Sequence, residues 1–126
     1  MEAGIKGRKE TLVTEENSAQ AMGSGLLPVY ATPAMVALME GAESVAPYLE
    51  EGTTTVGTAL NIKHTSATPT GMRVYCESTL TEVDGRRLVF SVSAYDECGE
   101  IGSGTHERFI IKSEKFMAKT NAKLEK

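Results

Sequence analysis

Residues 32–49, TPAMVALMEGAESVAPYL, decide the fold. Met35, Leu38, Met39, Ala42, Val45, Ala46 and Leu49 recur at steps of three and four, so a helix over this stretch gathers them into one apolar stripe. Thr32 suits the N-cap and Pro33 the first helical position, where a missing N–H costs nothing. Gly52 is expected to end the helix. Such a stripe needs an apolar surface opposite it, and the sequence downstream provides one. Val56, Thr58, Leu60, Ile62 and His64 fall on one face of a strand by the period of two. Val74, Cys76, Ser78 and Leu80 do the same within 73–83, and Leu88, Phe90, Val92 and Ala94 repeat the pattern. Asp84-Gly85 is a tight-turn signal, and residues 96–99 supply another turn. Residues 101–112 read as the last strand.

Upstream, RKETLVT (8–14) reads as a short first strand. Residues 15–31, with Gly23, Gly25 and Pro28, read as an irregular crossing segment. The charged tail SEKFMAKTNAKLEK is expected to finish as a short helix. The order is one strand, one long helix, then four strands joined mainly by hairpins. This is an α+β layout: an antiparallel sheet of about five strands with one helix against it, in a single domain over 1–126.

Composition narrows the function. A formal charge of −4 with no basic block argues against wholesale nucleic-acid binding. No run of about 20 apolar residues offers a membrane span. The opening MEAGIKGRKE is charged and lacks an apolar stretch, so no signal peptide is expected. Cys76 and Cys98 are too few and too far apart for a disulfide framework. These features point to a reducing cytoplasm. No His/Cys/Asp spacing argues for a metal.

The candidate chemistry lies around the helix and the strand after it. Glu40 falls off the apolar stripe among small neighbours, a surface suited to close contact with another chain. A carboxylate held there would be desolvated toward a useful base. His64 ends an apolar strand face, and HTSATPTG (64–71) then breaks the strand with Pro69 and Gly71, opening a pocket. A histidine at such a strand end can move protons near neutral pH. Thr32 sits at a helix N-terminus, whose free N–H groups stabilise a developing oxyanion. Capping and chemistry compete for its hydroxyl. Gly57 permits close approach of a ligand or marks a bulge. Gly102-x-Gly104 is no dinucleotide fingerprint, because Glu107 occupies the third glycine position and no helix pattern follows. His106 and Arg108 share a strand face, facing substrate or forming a structural ion pair. Arg73, Arg86, Arg87 and Lys112 are scattered cations that can reach phosphates.

Read together, ATPAMVALMEGA, VAPYLEEG, VGTALNIKHTSATPTGM, VDGRRLVFSVSAYD and EIGSGTHERFIIKSEKF resemble the hotdog-fold thioesterases, most closely the fluoroacetyl-CoA thioesterase group. The resemblance runs from about residue 30 to 119. It implies a long helix wrapped by an antiparallel sheet, as read above. It also implies reactive residues at Thr32, Glu40 and His64, with substrate-binding residues at Gly57 and Arg108. A homodimer, possibly a tetramer, is implied, with sites at the subunit interface. That places the off-stripe Glu40 against a second subunit. No cofactor is implied, CoA entering only as part of the substrate. Fluoroacetyl-selective members carry lid phenylalanines before the threonine, where MGSGLLPVY has Gly23, Leu26 and Leu27.

The function expected is hydrolysis of a short- or medium-chain acyl-CoA. Thr32 orients the carbonyl, Glu40 attacks it or activates water, and His64 moves protons. A non-hydrolytic acyl-CoA binder and an enoyl-CoA hydratase are the alternatives. The usual hydratase Asp/His arrangement is missing around the helix.

Overall fold

The alternation from residue 73 onward produces long strands, and these carry the molecule. A computed structural model describes residues 1–125. It contains β1 (Lys6–Leu12), α1 (Ala19–Met22), α2 (Thr32–Gly41), β2 (Thr53–His64), β3 (Arg73–Asp84), β4 (Arg87–Asp96), β5 (Gly99–Lys112) and α3 (Ser113–Asn121). Single 3-10 turns lie at Glu15–Asn17, Ala46–Tyr48 and Ala122–Glu125. The five strands form one antiparallel sheet in the order β1-β3-β4-β5-β2. The expected α+β architecture is therefore present, and the tail is helical as read. Lys126, the last residue of that tail, lies outside the described residues.

The core forms where α2 meets the sheet. Met35, Leu38 and Met39 of α2, with Ala42 and Val45 beyond it, are buried against Val74, Cys76 and Leu80 of β3 and Leu88, Phe90, Val92 and Ala94 of β4. The inward sets read for β3 and β4 are thus the observed ones. Burial of each large side chain contributes about 1.5–3 kcal/mol before entropic costs.

The helix itself is shorter than expected. It stops at Gly41 rather than running to Gly52, and Ala46 is exposed. Pro47 bars the expected run to residue 49: inside a helix its ring would clash with the carbonyl of residue 43, and it has no N–H to donate there. Instead it opens the 3-10 turn at Ala46–Tyr48. The freed groups find other partners. Val45 N–H donates to Glu43 Oε2 at 3.1 Å, and the buried Ser78 hydroxyl donates to the Ala42 carbonyl at 3.0 Å. β1 spans Lys6–Leu12 rather than residues 8–14, and its early part passes beneath this carbonyl. Gly7 pairs with Ser78 directly below the helix end, and a Cβ on Gly7 would lie 1.8 Å from the Ala42 oxygen.

Two further readings need correction. Residues 15–31 are not wholly irregular. The Ser18 hydroxyl donates to the Glu15 carbonyl and accepts from Ala21 N–H, which caps α1, and Ser18 bridges to Tyr30. On β2 the register shifts between Gly57 and Ala59, leaving Thr58 as an extra residue. The bulge reverses the alternation. Opposite Ile110, Arg108 and His106 of β5 stand Thr55, Gly57 and Leu60, followed by Ile62 and His64 on the same side. Val56 and Thr58 therefore do not share the face of Leu60, Ile62 and His64.

Candidate active site

The N-terminal end of α2 builds the first polar group. Ala31, with φ −74° and ψ 139°, is the cap residue, and its carbonyl takes the first helical hydrogen bond from Met35. Thr32 is thus already inside the helix. It does not cap it, contrary to expectation. Its hydroxyl is free to meet His64: Thr32 Oγ1 and His64 Nδ1 are hydrogen-bonded at 2.7 Å. His64 ends β2, and the loop beyond is tied down on both sides. Thr65 N–H donates to the Ile101 carbonyl, Tyr30 N–H donates to the Thr68 carbonyl, and the Thr68 hydroxyl donates to Asp96. Burial lowers the His64 pKa, partly opposed by a backbone hydrogen bond at Ser66. His64 Nε2 is buried without a partner. A cavity of about 270 Å³ lies beside the pair, walled by Ala19, Ser24, Val29, Tyr30, Ser66 and Ala67. Ala19, Ser24, Val29 and Tyr30 of that wall come from the 15–31 segment.

The C-terminal end of α2 builds the second. Glu40 Oε2 lies 3.6 Å from Arg108 Nη1 and 4.0 Å from His106 Nε2. The carboxylate is 37% exposed, whereas His106 is fully buried. Arg108 is held in a fork. Its Nε donates to Thr55 Oγ1 at 2.7 Å, Nη2 donates to the Thr55 carbonyl at 3.0 Å, and Nη1 donates to His106 Nε2 at 3.1 Å. Gly57 faces this cluster across the β2–β5 ladder. A Cβ there would sit 3.0 Å from Glu40 Oε2 and 3.5 Å from Arg108 Nη1, so the missing side chain gives the carboxylate its room. Burial, then the neighbouring Arg108 charge, push the His106 pKa down to about 4.

The expected residues therefore fall into two sets. Thr32 meets His64, and Glu40 meets Gly57, Arg108 and His106. Within one chain the sets are apart, because the eight residues from Thr32 to Glu40 span about 12 Å of helix. Of the two readings for His106 and Arg108, the structure holds the structural ion pair, made by Arg108 with Glu40. Sequence reasoning passed over Thr55. Counting back by two from Gly57 would have found it. Of the scattered cations, Arg87 is engaged by Glu82 and Glu107.

Comparison with known proteins shows the family and the fold. The model of the fluoroacetyl-CoA-specific thioesterase family matches residues 13–114. The fluoroacetyl-CoA thioesterase of Streptantibioticus cattleyicolor is 53% identical over 97 residues, 75% of this chain and 70% of that protein. A solved structure of the fluoroacetyl-CoA thioesterase FlK superposes with a TM-score of 0.91 at 42% identity, covering 98% of this chain and 97% of the other. A hot-dog-like protein from Thermanaerovibrio acidaminovorans, 22% identical, shares the fold with a TM-score of 0.86 over 96% of this chain and 91% of its own.

Proposed function

Because the chain belongs to the fluoroacetyl-CoA-specific thioesterase family, we propose that its two polar sets are halves of one thioesterase site, joined across a homodimer. The protein has the hotdog fold and is a thioester hydrolase that cleaves a short acyl-CoA to free acid and CoA. The site's internal roles are our reading. The acyl group enters the cavity beside Thr32 and His64. The hydroxyl of Thr32 and the N-terminal N–H groups of α2 orient and polarise the thioester carbonyl. Glu40 attacks that carbonyl, expelling CoA thiolate and leaving an anhydride that water hydrolyses to the free acid, or it takes the proton of a water that attacks the carbonyl directly. His64, neutral through burial, carries the proton to the departing CoA sulfur. Arg108 steadies the Glu40 carboxylate, and Gly57 leaves room beside it. These steps use side chains and water, with CoA present only as part of the substrate.

The dimer reading rests on β2. It is an edge strand paired only with β5, and Leu60 on it is 46% exposed. Glu40 is part-exposed beside that strand. Pairing two copies along this edge would bring the Glu40 carboxylate of one protomer toward the partner's Thr32 and the partner's His64. The acyl group remains short or medium in this reading, because Gly23, Leu26 and Leu27 stand where lid aromatics are expected. A reducing cytoplasm is the proposed setting, supported by the two unpaired thiols of Cys76 and Cys98.

The Thr32–His64 hydrogen bond beside a cavity carries the proposal. Thiol release from acetyl-, propionyl-, hexanoyl- and phenylacetyl-CoA tests it. Wild type is expected to turn over at least one of them. Glu40→Gln and His64→Ala are expected to lose about 100-fold or more in kcat. Unchanged turnover in Glu40→Gln would remove Glu40 from the mechanism.

A further inference from the structure

We propose that His106 is a positioning residue of this site: a neutral imidazole protonated at Nδ1, whose Nε2 accepts a hydrogen bond from Arg108 and so sets the guanidinium against the Glu40 carboxylate. The inference rests on the reading that Glu40 and Arg108 serve thioester cleavage.

Hydrogen-bond inventory fixes the tautomer. A guanidinium offers five N–H donors and no acceptor, so the ring nitrogen that meets it must present a lone pair. His106 Nε2 lies 3.1 Å from Arg108 Nη1. The competing arrangement has Nε2 donating to Glu40, but that separation is 4.0 Å, beyond hydrogen-bond reach. The proton therefore resides on Nδ1.

Nδ1 itself supplies the second observation. It is buried and has no partner. An orphaned buried donor destabilises a fold, and a leucine would fill the same space without one. What an imidazole offers here that a leucine cannot is the Nε2 lone pair. The charged groups facing His106 among the described residues are Arg108 on β5 and Glu40 on α2. Phe90 on β4 stacks obliquely at 5.6 Å between ring centroids, and Leu60 stands opposite on β2. Burial and the Arg108 charge both disfavour the imidazolium and hold the pKa down to about 4. Protonation would replace the acceptor with a donor and press two cations together.

With two histidines in the chain, a long-range ¹H–¹⁵N correlation spectrum contains two imidazoles, and His106→Gln assigns them. The expected result is a neutral Nδ1–H ring for His106 from about pH 8 to 5.5. An Nε2–H ring, or titration near pH 6.5, overturns the proposal. This measurement needs no turnover, so it is decided separately from the thioesterase reading, which falls if no acyl-CoA is cleaved. Kinetics provide a second test. His106→Leu is expected to lower kcat at least about tenfold. His106→Gln, whose amide oxygen can accept from Arg108, should stay within about threefold of wild type. A leucine variant as fast as wild type overturns the assignment. Should it fail to fold, the spectrum still decides.

Discussion

A hydroxyl at a helix start can serve the backbone or a ligand, and Thr32 shows how the choice is made. Ala31 takes the cap position with an extended backbone, and the helix begins without a side-chain cap. The Thr32 hydroxyl then points to His64. The two roles predict different outcomes for Thr32→Val. Loss of a cap costs about 1 kcal/mol of stability. Loss of the His64 partner costs turnover. We expect a stability change within about 0.5 kcal/mol in urea denaturation, with kcat reduced at least about tenfold. A destabilised variant with normal turnover would return Thr32 to a capping role. At this scale Thr32, Glu40, His64, Gly57 and Arg108 were named through family resemblance. The fork that Thr55 and His106 make around Arg108 was not. It depends on which strand residues face each other across the β2–β5 ladder, and pairing is a long-range property.

Elements were legible wherever periodicity was clean. The inward sets of β3 and β4 follow the period of two because both strands lie inside the sheet with one face on the core. α2 and β2 departed from expectation at single residues. Pro47 sits in an otherwise helical pattern and bars its continuation to residue 49, a local signal outweighed by the apolar stripe. The extra residue at Thr58 was signalled only by Gly57 beside it, which reads equally as room for a ligand, and it inverted the faces upstream of Leu60. Gly7 shows how one element limits another. Its missing side chain lets β1 pass under the end of α2, with the Ala42 carbonyl where a Cβ would be. That carbonyl is backbone and is already held by Ser78. Gly7→Ala must therefore displace β1 or the helix end. A loss of about 2 kcal/mol or more is expected, read as a lower urea midpoint at unchanged m-value. A wild-type midpoint would mean the two backbones are farther apart than drawn here.

Over the whole molecule, α2 holds the polar sets at opposite ends, separated by about 12 Å of helix. If a homodimer joins them, inactive subunits should complement each other. Glu40→Gln and His64→Ala chains, each silent alone, would form one intact site per mixed dimer. Random mixing after joint refolding is expected to recover about a quarter of wild-type activity, from half the dimers carrying one good site of two. Recovery absent in verified mixed dimers would place both halves in one subunit. By itself the sequence determined the elements, the α+β class, the apolar faces and the family, because these follow from local periodicity and from motifs contiguous in the chain. Tertiary structure alone decided where α2 stops against the sheet, which side of β2 faces in, and that Arg108 is shared between Thr55, His106 and Glu40. Those outcomes depend on steric contact and hydrogen-bond satisfaction between segments far apart in the chain, 53 residues for Thr55 and Arg108 and more for Glu40 and Arg108, and no local pattern encodes them.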